Sequence, residues 1–389
     1  MPETGSKSSL VKWGQNLLLV LLSLVLALGI VELALRIYNP LGFRIKGDQI
    51  VLPVNKKEII EYHDRKLDRY VTVTRNSLGF RGEEPPRDFG RWLTLVTVGG
   101  STTECVENDD RHTWTFFLGK ALQQDFQPLW INNAGLSGHS TYGHIILMQD
   151  YLVKLKPKVV VFLVGLNEVE NRNFGEYDRE RILRGFSLRS FRSLDAFLSS
   201  LSGHSEAATA ILNLKRYFFT TATLARGHQE TDLEKIGTLR NTEEFRAQLR
   251  QLHQEKYLGL YEQRLQELIK ISRANSLMPV FLTQPLLTGK AVDDLTGVDL
   301  GEINFRHHMN GETAWEILEL YNQVTREVGK REGVLVIDLA RKMPKSSSYF
   351  CDFTHYTNAG GAKVAQIVSE DLGPYLAQNF PDYRLGRKN

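Results

Sequence analysis

Ser101 stands in Gly99-Gly100-Ser101-Thr102-Thr103, directly behind the apolar run Leu93 to Val98, and Asp352-Phe353-Thr354-His355 lies near the other end of the chain. A serine hydroxyl is a weak nucleophile at neutral pH. It needs an imidazole to take its proton and a third group to hold that imidazole in one tautomer. Ser101, His355 and Asp352 supply nucleophile, base and base-orienting acid, the equipment for acyl transfer through a serine ester. The glycines ahead of Ser101 allow a tight turn at the end of a strand, where open parallel sheets place their ligands. Taken singly, a Gly-Gly-Ser turn or an Asp-x-x-His loop is a weak signal, because most are plain connections or solvated pairs.

Two intermediate segments add to it. Trp130-Ile131-Asn132-Asn133-Ala134-Gly135 reads as a short strand running into a turn, and the apolar strand Val159 to Val164 ends in Gly165-Leu166-Asn167. Acyl transfer requires preorganised donors for a developing oxyanion, commonly backbone N–H groups and a side-chain amide. The Ser101 N–H, the Gly135 N–H and the Asn167 amide would supply three. His139 and His144 follow the second segment closely and rival His355 as base, but neither has a carboxylate nearby in sequence.

These four ordered blocks, Gly-Gly-Ser-Thr-Thr, Asn-Ala-Gly at 133 to 135, Gly-Leu-Asn and Asp-Phe-Thr-His, resemble those of the SGNH (GDSL-type) hydrolases over residues 70 to 375. The resemblance implies a serine esterase in which Ser101 attacks an ester, His355 is its base with Asp352 as the acid, and Gly135 and Asn167 join the Ser101 N–H in the oxyanion hole. It implies no cofactor. The chain departs from the family pattern at Gly100 and Glu168, where aspartates often stand. Membrane-anchored relatives look like enzymes that modify cell-envelope polysaccharide or lipid, so an O-acyl ester, in particular an O-acetyl ester of a carbohydrate, is the expected substrate. An O-acyltransferase working with a membrane partner and a non-catalytic binding module are the alternatives.

The elements needed to position these blocks alternate along the chain. Strand Leu93 to Val98 precedes a helix around Thr113 to Gln123, and Asn132 to Gly135 leads into a helix with Ile145, Met148, Leu152 and Leu155 on one face. Helix Lys256 to Asn275 precedes strand Pro279 to Thr283, helix Thr313 to Arg331 precedes strand Val334 to Asp338, and Ala359 to Tyr375 forms a last helix. The pattern predicts an α/β fold: a doubly wound, flavodoxin-like parallel sheet of about five strands with flanking helices and the four blocks on the loops at the strands' C-terminal ends.

Residues 172–250 break that alternation as an insertion, either a lid or partner surface or a helical flap on the core, with a possible helix from Ala207 to Tyr217. Arg306-His307-His308 lies in a second loop, residues 286 to 311, where the histidines either touch substrate or are merely solvated. The N-terminus is a separate object: residues 1–14 form a tail and 15–37 an apolar stretch without charge from Gln15 to Val31. That is long enough to cross a membrane as a signal-anchor helix. A cleaved signal peptide, with Lys7 and Lys12 as its basic region and cleavage near Ala27 and Gly29, is the competing reading. Either reading places the remainder outside the cytoplasm, as a single-pass membrane protein in the first case. Residues 38–90 read as a stalk and lead-in, in which Asn76 to Gly82 is either part of the approach to the site or a surface loop, and 91–380 as the hydrolase domain.

At 389 residues and 42% hydrophobic content the chain can bury a substantial core. The net charge of +3 comes from 48 basic residues interspersed among 45 acidic ones, which excludes the concentrated positive face of a nucleic-acid binder. No His-Glu-x-x-His or Cys-x-x-Cys motif calls for a metal. The two cysteines, Cys105 and Cys351, each adjoin a catalytic block. They are expected either to form a disulfide clamping the two loops, if the domain is extracytoplasmic, or to remain two buried thiols.

Overall fold

Val159–Val164 is apolar and buried at every position, as a strand must be when helices cover both faces of its sheet. In the computed structural model, which describes residues 5–38, 45–46, 49–50, 52–170, 201–211, 230–306 and 308–386, this strand lies at the centre of a five-stranded parallel sheet. The strands are β1 Leu93–Val98, β2 Leu129–Asn133, β3 Val159–Val164, β4 Met278–Thr283 and β5 Val336–Ile337, in the order β2-β1-β3-β4-β5. The fold is therefore the expected doubly wound α/β sheet of flavodoxin-like order. On one face Leu93, Leu95, Val161 and Leu163 share a core with Trp114 and Leu118 of helix α1 Trp114–Leu122. On the opposite pleat Phe162 meets Phe281 and His144 of helix α2 Thr141–Leu147, at ring-centroid distances of 5.4 and 6.5 Å.

Register decides where the site falls. Thr97 pairs with Asn133, Val98 with Phe162, and Val164 with Thr283, so the loops carrying Ser101, Gly135 and Asn167 leave the same edge of the sheet. β1 and β3 are the neighbours at which the strand order reverses, the place where such sheets bind ligands.

Two boundaries differ from expectation. Helix α3 Glu243–Lys256, assigned in large part to the insertion, packs with α4 Leu258–Ala274 and α5 Gly311–Glu332. Its Leu249 and His253 are buried, and the His253 imidazole bonds the Tyr321 hydroxyl of α5 at 2.9 Å. The hydrolase body also begins before residue 91. It comprises Leu52–Asp178 and Arg226–Asn389, and so includes the antiparallel hairpin of Lys56–Glu61 and Tyr70–Arg75. The alternation at Tyr70–Arg75 marks a strand in the sequence but not what it packs on: Val71 and Val73 are buried with Tyr62, Leu67 and Cys351 of the acid/base loop.

A second compact unit comprises Met1–Val51 and Arg179–Ala225. Its helix Gly5–Ile37 contains the 25-residue apolar stretch Trp13–Ile37, about 38 Å long at 1.5 Å per residue and therefore sufficient to cross a bilayer. Glu32 interrupts that stretch and is fully partnered within the unit. Its carboxylate accepts the N–H groups of Glu206 and Ala207 at 3.1 and 3.0 Å and the Ser205 hydroxyl at 2.8 Å. Arg36 bonds Glu32 and donates to the His204 carbonyl. The possible helix from Ala207 is described only to Ile211; the remainder, with residues 171–200 and 212–229 of the insertion, lies outside the described residues.

If α3 is core rather than lid, His253→Ala will lower the stability of the body by about 1–3 kcal/mol through the lost buried hydrogen bond and packing. Chemical denaturation followed by tryptophan fluorescence measures it; an unchanged midpoint would return α3 to the insertion.

Candidate active site

β1 ends at Val98, and Gly99-Gly100 turns the chain into the single helical turn Ser101–Glu104. The turn is tight because other groups press on it: a Cβ at Gly100 would stand 2.3 Å from the Asn167 amide nitrogen and 3.3 Å from the His139 carbonyl. Ser101 is the first residue of the turn, and its N–H makes no hydrogen bond among the described residues, the usual condition of a first-turn donor. The far end of the turn is held from beneath by Arg81. Its guanidinium donates to the carbonyls of Glu104 (2.7 Å), Cys105 (2.7 Å) and Asn108 (2.9 Å) and to the Asp110 carboxylate (2.9 Å). Within the stretch Asn76 to Gly82, Arg81 thus supports the turn from inside, while Ser77 and Gly82 face solvent. A lone arginine in a turn-rich segment gave no sequence signal of that role.

The acid/base loop meets this turn directly. His355 Nε2 lies 2.8 Å from the Ser101 hydroxyl, and His355 Nδ1 lies 2.8 Å from Asp352 Oδ2. Asp352 Oδ1 accepts the N–H groups of Thr354 and His355, each at 2.7 Å, so the carboxylate holds both its loop and the ring. All three side chains are screened from water, with 8%, 4% and 5% of the surface of Ser101, His355 and Asp352 exposed. Burial alone would pull the imidazole down. The Asp352 carboxylate, aided by Glu107, overrides it and raises His355 to about 9. Burial likewise opposes the charge of Asp352, but the imidazole and the loop N–H groups hold it well below the usual carboxylate range. The rival histidines do not fill this place: His144 is pulled down to about 3 by burial, and the carbonyl of His139 accepts the Asn167 amide at 2.7 Å.

One expected oxyanion donor is otherwise engaged. The Gly135 N–H donates to the Asn133 side-chain oxygen at 2.8 Å, and a Cβ there would lie 2.3 Å from the Glu104 backbone nitrogen. Gly135 is a glycine of close packing, and the donor assignment is corrected. Three residues on, Gly138 occupies a turn closed by His139 N–H to Leu136 C=O, with φ +78°. Its N–H makes no hydrogen bond among the described residues, and its neighbour His139 is the residue whose carbonyl touches Gly100 and Asn167. The Leu-Ser-Gly sequence at 136–138 was the available signal, a turn with glycine at the position that demands positive φ. Glu168 anchors the same region: its carboxylate accepts the Thr141 N–H at 2.5 Å.

The disulfide is not formed. Cys105 and Cys351 are separate buried thiols in different core clusters, donating to the carbonyls of Thr102 and His355. Burial pushes Cys105 up to about 12 and Cys351 well above its ordinary value, which leaves both unreactive. The tie between the two loops is made instead by Asn108, whose amide donates to the Tyr356 carbonyl at 3.2 Å and to the Asn358 side chain at 3.0 Å. In the second loop Phe305 packs on Phe353, with ring centroids 5.0 Å apart. His308 is exposed with its carbonyl bonded to Asn241, and His307 lies outside the described residues.

The sequence model of the GDSL-like Lipase/Acylhydrolase family matches residues 97–363. No curated protein matches the chain. Similar solved structures include an α/β hydrolase enzyme from the metagenome of Lake Arreo, Spain (14% identity, TM-score 0.38, covering 72% of this chain and 96% of that one). A catalytic mutant of an acetylxylan esterase from Geobacillus stearothermophilus is also similar (14%, 0.36, 72% and 93%). A third is a GDSL-like lipase from Bacteroides thetaiotaomicron VPI-5482 (12%, 0.38, 76% and 93%). None of these likenesses bears on what this chain acts on.

Because Asp352 favours the imidazolium, phosphonylation of Ser101 by a fluorophosphonate will rise with pH as His355 loses its proton, with a midpoint above the ordinary 6.5. Asp352→Asn removes that charge, so the midpoint will move down and the plateau rate will fall by about 10³–10⁴-fold. Mass spectrometry of the labelled chain across pH measures both; a parent midpoint at or below 6.5 would contradict the electrostatic account.

Proposed function

Given that this chain belongs to the GDSL-like Lipase/Acylhydrolase family and is an ester-hydrolysing enzyme, we propose that it cleaves an O-acyl ester through Ser101, His355 and Asp352. The observation that carries this reading is the unbroken chain of short contacts from the Ser101 hydroxyl through the His355 ring to Asp352. Ser101 Oγ attacks the ester carbonyl carbon while His355 Nε2 takes the hydroxyl proton. As the tetrahedral intermediate collapses, His355 returns that proton to the departing alcohol and leaves an acyl-serine. Water then attacks the acyl-serine, giving its proton to His355, and the carboxylic acid leaves as Ser101 is reprotonated. The Ser101 N–H, the Asn167 amide and the Gly138 N–H, in place of Gly135, face the developing oxyanion.

The N-terminal helix serves in this reading as an uncleaved, single-pass anchor that keeps the hydrolase body extracytoplasmic, at the surface of the cell envelope. The partnered Glu32 and Arg36 support retention, since they make the helix part of a folded unit. The substrate class that fits this location is an O-acyl ester, foremost an O-acetyl ester, on an envelope carbohydrate or lipid.

Hydrolysis of short-chain p-nitrophenyl esters by the full chain in detergent tests the chemistry. Ser101→Ala should abolish it, and Asn167→Ala should lower kcat by about 10²–10³-fold, the usual loss for one oxyanion donor. Hydrolysis that survives Ser101→Ala would sink the proposal. For the anchor, the intact mass of membrane-extracted protein should equal that of the full chain, and a mass beginning near residue 30 would establish cleavage instead.

A further inference from the structure

Glu104, the last residue of the nucleophile turn, is fully buried. One of its carboxylate oxygens takes the Arg75 guanidinium, which is itself buried at the end of the hairpin strand Tyr70–Arg75. The other oxygen accepts two donors from one residue, the Ser137 N–H at 2.6 Å and the Ser137 hydroxyl. Ser137 directly precedes Gly138. The turn that holds them is fixed at two more points: the Leu136 N–H donates to the Gly99 carbonyl at 3.0 Å, and the Asn167 amide donates to the His139 carbonyl at 2.7 Å.

A carboxylate removed from water is tolerated only where donors surround it. Here those donors come from three parts of the sequence, so the charge of Glu104 draws the hairpin and the Ser137 turn onto the back of the nucleophile turn. Two hydrogen bonds from a single residue to one oxygen fix that residue's orientation as well as its distance. The next peptide unit, which carries the Gly138 N–H, inherits that orientation. Oxyanion stabilisation depends on donors aimed before the reaction begins, and a misplacement of about 1 Å costs about 10²-fold in rate.

We propose that Glu104, charged against Arg75 and gripping Ser137, is a positioning residue that aims the Gly138 N–H at the oxyanion formed on Ser101. The inference rests on the esterase reading above and adds to it the group that preorganises one of its donors. Ser137→Ala is the clean variant, because it removes the hydroxyl donor and leaves the N–H.

In the full chain, Ser137→Ala should lower kcat for a short-chain p-nitrophenyl ester by about tenfold to a hundredfold. KM and the pH midpoint set by His355 should stay where they are, the melting temperature should fall by no more than the loss of one hydrogen bond to a carboxylate allows, and Ser137→Thr, which restores a hydroxyl, should recover most of the loss. Glu104→Gln alone would strand a buried cation, so the second variant is Arg75→Met with Glu104→Gln, expected to match or exceed the kcat loss of Ser137→Ala with the same pH midpoint. A kcat for Ser137→Ala equal to that of the parent overturns the inference, as does a loss carried by KM or by the pH midpoint, or one explained by unfolding at the assay temperature. If the parent turns over and Ser137→Ala matches it, only this inference fails. If the parent shows no turnover that depends on Ser101, the esterase reading fails and this inference with it.

Discussion

A buried turn such as Ser101–Glu104 leaves N–H groups unsatisfied at its front and cannot leave carbonyls and charges unsatisfied at its back. The whole of the catalytic body is arranged around that asymmetry. Behind Ser101–Glu104 the carbonyls of Glu104, Cys105 and Asn108 converge on the Arg81 guanidinium, and the Glu104 carboxylate meets Arg75. Buried arginine suits this task, since its planar fork offers several donors in fixed directions and stays charged when desolvated. The two cations come from the lead-in to the sheet, and for that reason the segment from Leu52 onward belongs to the hydrolase body.

The acid/base loop is built on a complementary economy. Asp352 uses one oxygen to order the backbone of its own loop and the other to hold the imidazole. The same carboxylate therefore fixes geometry and charge together. Glu107 adds a second negative group to the surroundings of His355, and the charge of Arg306 opposes it. Asn108 then joins this loop to the nucleophile turn through two amide hydrogen bonds. With these in place the loops need no covalent bridge, and the thiols of Cys105 and Cys351 serve as small apolar fillers of separate clusters.

Much of this was legible in the residues. The apolar runs at Leu93–Val98 and Val159–Val164 and the alternating helices announced a parallel sheet, and the polar blocks behind its strands pointed to Ser101, His355 and Asp352, which the fold brings into hydrogen-bond contact. What stayed hidden depends on contacts between distant segments. No local pattern says that Gly135 spends its N–H on Asn133 while that of Gly138 finds no acceptor among the described residues, because the difference is made by a side chain and by the close approach of Glu104. Arg75 and Arg81 looked like ordinary charges in a polar lead-in, and only the folded chain places them under the active-site turn. Helix α3 was misassigned because its polar surface obscures a narrow buried stripe at Leu249 and His253.

The bond from Ser205 to Glu32 spans 173 positions of sequence, and it bears on the order in which the chain can be completed. The apolar helix is made before β1, β2 and β3, while the donors that satisfy its carboxylate emerge only after these strands. Until then Glu32 must rely on water or on Arg36, the cation one helical turn away. Each compact unit is made of two stretches of sequence separated by a stretch of the other, so neither is complete until its second stretch has been synthesised. The apolar helix, made before β1, β2 and β3, consequently acquires the partners of Glu32 only after them.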